Sequence, residues 1–139
     1  KLRGRRSLAS FFAEELDRVL DGRYPSAVVV PVPPRPGKLR RRGWDQVEDL
    51  ARVLECRFHR PVSRLLFRKS SAAEQKALGA EARRRNIRGS FSVRSRVDPA
   101  LPYLLVDDVF TTGATLGECA QVLKAAGATR VDAVVLAMD

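Results

Sequence analysis

Apolar residues at Leu8, Phe11, Phe12, Leu16, Val19 and Leu20 recur at intervals of three and four, the spacing that lines one face of an α-helix. Ser7 is placed to cap that helix and Gly22 to stop it. Residues 27–30 (Ala-Val-Val-Val) are a β-branched run, and the prolines that follow at 31, 33, 34 and 36 lack amide donors and fix φ, so a strand feeds a stiff loop. Val47, Leu50, Ala51 and Leu54 return to helical spacing, and residues 62–67 read as a second strand, completing a second βα step. Residues 70–79 are small and polar without a period and read as a loop, followed by a short helix at 80–86 and a strand at 91–93. After a turn at Asp98-Pro99 come a strand at 103–106, a helical stripe of Leu116, Cys119, Ala120, Leu123 and Ala126 closed by Gly127, and a last buried strand at 131–138.

Strands that alternate with helices imply right-handed crossovers and an α/β fold: a single domain over residues 1–139 whose central, mainly parallel sheet is flanked by helices. The ligand crevice of such a sheet lies beyond the carboxyl ends of its strands. Lys and Arg outnumber Asp and Glu by 26 to 16, and the resulting charge of +10 attracts phosphates. The basic residues concentrate at 1–6, 38–42 and 83–88. Cys56 and Cys119 are not in CxxC spacing, which argues against a zinc ribbon or a disulfide framework and for a reducing, cytoplasmic setting; both read as core filler. No apolar stretch approaches the roughly 20 residues that span a bilayer, and the basic start lacks the apolar segment of a secretion signal. The first residue is Lys, so the chain reads as a piece of something longer.

Residues 103–115 carry the densest chemistry. A buried strand delivers two adjacent carboxylates, Asp107 and Asp108, into a Thr/Gly-rich turn that opens directly into a helix. N–H groups at a helix N-terminus favour an anion, Thr111, Thr112 and Thr115 add hydroxyl donors, and Gly113 lets the backbone come close; the turn is suited to cradle a monophosphate. A sugar carrying that phosphate would lay its ring hydroxyls against the two carboxylates. Successive strand residues point to opposite faces, so one acid can face the ligand while the other braces the loop, and the spacing does not choose between them.

This stretch resembles the 5-phosphoribosyl pyrophosphate (PRPP) motif of type I phosphoribosyltransferases: four apolar residues, two acids, two apolar residues, then a Thr-Gly-x-Thr turn. The wider pattern of Pro31-Val32-Pro33-Pro34, Arg42-Gly43-Trp44-Asp45-Gln46, Gln75 with Leu78, and Arg83 and Asn86 before Gly89-Ser90-Phe91 is similar to the ComF (competence protein F) family over residues 2–138. It departs from that family's pattern at the N-terminal zinc-binding cysteine segment and at an aromatic-Asn-Gln triplet, which here reads Trp44-Asp45-Gln46. The resemblance implies the type I phosphoribosyltransferase fold, with Thr111, Thr112, Gly113, Ala114 and Thr115 on the 5-phosphate and Asp107 and Asp108 as catalytic residues on the ribose hydroxyls. It implies Mg²⁺ carried in with the pyrophosphate rather than held in a protein-built metal site. It places the pyrophosphate loop at Pro33, Pro34 and Arg35, with Lys38 and Arg40 as charge partners for the leaving group. Arg68 and Gln75 are candidates for a lid. Thr111 stands where purine-salvage relatives carry an Asp base, and a hydroxyl has no useful basicity near neutral pH, which disfavours purine salvage.

Two functions fit these residues. The first is displacement of pyrophosphate from PRPP onto an acceptor that the sequence does not identify. The second is non-enzymatic: a PRPP sensor, or a nucleic-acid-handling protein of DNA uptake in which the clusters at 38–42 and 83–88 track single-stranded DNA and Trp44 or a Phe stacks on bases. The ComF resemblance adds a tie to transformation competence. Trp44 equally suits packing of a helix on the sheet. The one histidine, His59, has no acid near it in sequence and reads as non-catalytic.

Overall fold

The computed structural model describes residues 2–35, 37, 43–69 and 89–139. In chain order these form α1 (Leu2–Arg23), β1 (Val28–Pro31), α2 (Gln46–Phe58), β2 (Leu66–Arg68), β3 (Phe91–Val93), β4 (Pro102–Phe110), α3 (Ala114–Ala125) and β5 (Arg130–Met138). β4 is the centre of a parallel sheet of order β1-β4-β5, with Val30 opposite Leu105 on one side and Val106 opposite Val134 on the other. β2 and β3 form a separate antiparallel pair in which Leu66 faces Val93.

The alternation of β4 side chains divides the core in two. Tyr103 and Leu105 pack with Leu116, Cys119 and Leu123 of α3 and with Leu66 and Phe91 of the antiparallel pair. Leu104 and Val106 pack on the opposite face with Leu16 and Leu20 of α1 and Leu50 and Leu54 of α2. Leu50, Leu54, Leu104, Leu105 and Leu123 are fully buried, and each such side chain stabilises the fold by about 1.5–3 kcal/mol relative to exposure. Arg60 locks α1 to the end of α2: its Nε donates to Asp17 and one Nη to Asp21, each at 2.5 Å. The helix it follows ends at His59, a left-handed residue at φ 54° whose N–H donates to the Leu54 carbonyl; the lone histidine is a helix cap.

Four expectations are corrected. α1 begins at Leu2 and ends at Arg23, so Ser7 and Gly22 lie inside it; Leu and Arg are good helix formers and carry the helix back past the serine. Residues 62–67 are not one strand of the main sheet. Val62 bridges Val29 in parallel, then the chain leaves, because Arg64 is drawn to Glu48 and Glu55 of α2 at 3.0 Å each, and β2 pairs antiparallel with β3 instead. β2 and β3 therefore stand as an antiparallel pair outside the parallel sheet. β5 is exposed to partly buried rather than buried, since it pairs with β4 on one side only among the described residues, and Met138 is 78% exposed. Cys56 is exposed, two residues (about 200°) around the helix from the buried Leu54; only Cys119 is core filler. The expected loop at 70–79 and helix at 80–86 lie outside the described residues. No helix among the described residues is long and apolar enough to cross a membrane.

Candidate active site

Because β1 and β4 run parallel, their carboxyl ends open on the same side of the sheet, and the loops that leave them meet there. β4 stays in the sheet as far as Phe110, four residues beyond the expected end at Val106, and so carries both acids to the rim on rigid backbone. A cleft of about 330 Å³ lies at that rim, within the range of small-molecule sites of roughly 300–1,000 Å³. Val32, Pro33, Pro34 and Arg35 from the loop after β1, Arg68 from β2, and Asp107, Asp108, Val109, Thr111 and Thr115 line it. A smaller pocket of about 40 Å³ adjoins it and is formed by the turn itself, from Thr111 through Leu116, with Phe110, Val109, Asp107 and Arg35.

The two acids differ in placement. Asp107 lies on the α3 side, close enough that its charge adds to burial in pushing up the pKa of the Cys119 thiol of that helix. Both line the larger cleft, and Asp107 also lines the small pocket. The Asp107 carboxylate accepts from the N–H of Asp108 at 2.9 Å, which fixes the first acid against the backbone of the second.

Gly113 is the N-cap of α3 at φ 71°, a left-handed conformation that a side chain rarely adopts, and it makes no side-chain cap. First-turn amides have no intrahelical partner, so an uncapped start presents donors to whatever enters the pocket. Thr112 Oγ1 accepts only a long 3.4 Å bond from the Ala114 N–H. A Cβ on residue 113 would stand 2.9 Å from Phe110 Cε2, so the glycine is required by close approach as well as by φ.

The structure thus brings Pro33, Pro34, Arg35, Arg68, Asp107, Asp108 and the turn from Thr111 to Thr115 around one cleft. Lys38, Arg40 and Gln75 lie outside the described residues, as do the basic clusters at 38–42 and 83–88. Arg68, expected on a lid, sits at the end of a strand with its guanidinium 4.2 Å from the centroid of the buried Phe91 ring, so it forms part of the wall. Val32, Val109, Phe110 and Leu116 also line the two cavities; Val109 and Phe110 belong to the motif itself, between the acids and the turn. Trp44 is half-buried beside the α2 cap. Among the described residues no group of three or more His, Cys, Asp or Glu is arranged to hold a metal ion.

No family model matches the chain. It is 31% identical over 128 residues to the competence protein ComFC of Streptococcus pneumoniae, covering 91% of this chain and 53% of that protein. It is 32% identical to competence protein F of Haemophilus influenzae (74% and 46% covered) and 37% identical to the DNA utilization protein YhgH of Escherichia coli O157:H7 (66% and 40% covered). The chain spans about half the length, or less, of these curated relatives. Among solved structures it is similar to a hypoxanthine phosphoribosyl transferase of Trypanosoma cruzi, with a TM-score of 0.56 at 18% identity over 97% of this chain and 65% of that one. It is likewise similar to the glutamine PRPP amidotransferase of B. subtilis, with a TM-score of 0.58 at 20% identity over 95% of this chain and 26% of that one. At these identities the structures establish the fold alone, a type I phosphoribosyltransferase fold.

Proposed function

We propose that this chain, which belongs to the ComF (competence protein F) family of type I phosphoribosyltransferase-like proteins, binds PRPP at the rim of β4 and transfers its phosphoribosyl group to an acceptor. The observation that carries the reading is the meeting of an uncapped helix start with two adjacent carboxylates in one cleft. The 5-phosphate sits in the small pocket against the α3 amides and the hydroxyls of Thr111, Thr112 and Thr115. Asp107 and Asp108 accept from the ribose hydroxyls and stabilise positive charge on the ring as the anomeric bond breaks. The bond between the anomeric carbon and pyrophosphate breaks with its electron pair leaving on pyrophosphate, and the acceptor supplies the pair for the new bond from the opposite face.

Arg35 and Arg68 are the described cations of the cleft and stand to neutralise the departing pyrophosphate. Two adjacent carboxylates beside a phosphate-suited turn suit Mg²⁺, which keeps waters and binds through one or two carboxylates plus substrate phosphates. When bound, Mg²⁺ would neutralise charge on the pyrophosphate; Asp107 and Asp108 are the residues that would hold it.

Thermal unfolding with and without Mg²⁺ and PRPP tests this. Ligand at about 100 times its dissociation constant adds about 2.7 kcal/mol of stability. That shift disappears in Asp107→Asn or Asp108→Asn, and its absence in the parent protein at millimolar ligand would sink the proposal. The names of the relatives favour a second reading, nucleic-acid handling, to which the exposed Arg94 stacked 5.6 Å over Phe67 adds a cation beside an aromatic ring. Binding of single-stranded DNA that falls steeply with salt and is indifferent to Asp107→Asn supports it instead.

A further inference from the structure

The end of β4 breaks the alternation that governs the rest of the strand. Leu104 and Val106 face α1 and α2, and a strict alternation would send Phe110 the same way; its ring instead packs with the cluster of Leu116, Cys119 and Leu123 on the α3 side. There it meets the turn. Phe110 Cε2 and Cζ stand 2.9 and 3.0 Å from where a Cβ on residue 113 would be, and no other glycine whose surroundings are described has any heavy atom within 4 Å of that point. Phe110 shares the wall of the small pocket with Leu116, and its carbonyl accepts from the N–H of Asp139 at 3.0 Å, which ties its backbone to the end of β5. The ring is thus held by the core on one side and presses on Gly113, the uncapped start of α3, on the other.

We propose that Phe110 is the positioning residue of the phosphate cradle: its ring, braced on the α3-side core, holds the Gly113 turn in the conformation that presents the first-turn amides of α3 to a 5-phosphate. This rests on the reading of the cleft as a PRPP site. Phe110 acts through Gly113 and not on a reacting atom. A ring that presses on the turn has a consequence that ordinary core packing does not: the effects of changing residues 110 and 113 are coupled in ligand affinity and not merely in stability.

Calorimetry with ribose 5-phosphate and with Mg-PRPP, beside the unfolding midpoint of the ligand-free protein, tests the proposal. Phe110→Leu keeps an apolar side chain in the core, so the variant folds, yet it loses about tenfold in ribose 5-phosphate affinity, a coupling within the range of residues in contact. Gly113→Ala loses more, through both the clash and the positive φ. The double variant Phe110→Ala/Gly113→Ala binds no worse than Gly113→Ala alone, because removing the ring relieves the clash. Unchanged affinity in Phe110→Leu, or a double variant that binds worse than Gly113→Ala alone, would overturn the positioning role. If the parent protein binds neither ribose 5-phosphate nor PRPP, the PRPP reading itself falls and the role of Phe110 with it; binding by the parent with an indifferent Phe110→Leu removes this inference alone.

Discussion

Two helices of this protein begin in opposite ways. α2 completes its own N-terminus: Asp45 sits in extended backbone, its side chain accepts from the Val47 N–H at 3.0 Å, and Glu48 and Asp49 add negative charge to the first turn. α3 begins at a glycine in left-handed backbone, with no side-chain cap and no acid in its first turn. Both starts carry the positive end of a helix dipole. In α2 that potential is neutralised by the chain and serves stability, whereas in α3 it faces a pocket lined by three threonines, Arg35 and Asp107. A glycine start gives up only a few tenths of a kcal/mol relative to a capping side chain, so leaving first-turn amides for a ligand costs the fold little, and Asp107 and Asp108 stand a few residues upstream to meet the rest of a phosphate-bearing ligand.

The sharpest way to break this contrast is to make α3 resemble α2. Ala114→Glu puts an acid in the first turn of α3, and we expect PRPP affinity to fall by about 100-fold or more, since like charges brought together cost several kcal/mol. The same change leaves the ligand-free protein as stable as before or more stable by about 0.3–1 kcal/mol, because the acid suits the dipole. Calorimetry and denaturant unfolding separate the two effects; retained affinity would mean that the phosphate does not sit at this helix start. The reverse test is Asp45→Ala, which removes the α2 cap and costs about 1 kcal/mol in unfolding free energy with PRPP affinity unchanged. Loss of affinity there would show that the two helix starts are not independent.

The smallest effect is read at the thiols, one on each helix. Cys56 on α2 is exposed, while Cys119 on α3 is buried and its thiol is pushed up from 9.0 to about 12, first by burial. In native protein at pH 8 a thiol reagent should label one cysteine per chain, Cys56, and the second only on unfolding. Since the folded thiol holds its proton more tightly than the unfolded one, the contribution of Cys119 is complete below pH 9 and is lost as pH rises toward 12. Labelling of both cysteines at the same rate in folded protein would contradict the burial of α3 against β4.

Much of the fold was legible in local pattern. The stripe at Val47, Leu50, Ala51 and Leu54 marks the buried face of α2, because burial on one face imposes a period, and the unbroken run from Tyr103 to Val106 marks the part of β4 that is buried on both faces. The acids and the Thr/Gly turn were legible for the same reason: strand, turn and helix start are contiguous, so their spacing fixes their geometry. Gly113 was legible as a glycine that allows close approach; that the approaching group is Phe110 was not.

The sequence by itself determined the order of most elements, the identity of the acidic and phosphate-suited residues, and the family to which the chain belongs, since each is carried by residues adjacent along the chain. Only the tertiary structure decided that the chain leaves the main sheet after Val62, that Arg68 enters the cleft wall from a strand, that β5 pairs on one side only among the described residues, and that Asp107 lies close to α3. Those outcomes depend on which distant segments compete for a strand edge or an ion pair. Arg64, for one, finds Glu48 and Glu55 at sequence separations of 16 and 9, beyond the reach of a local period.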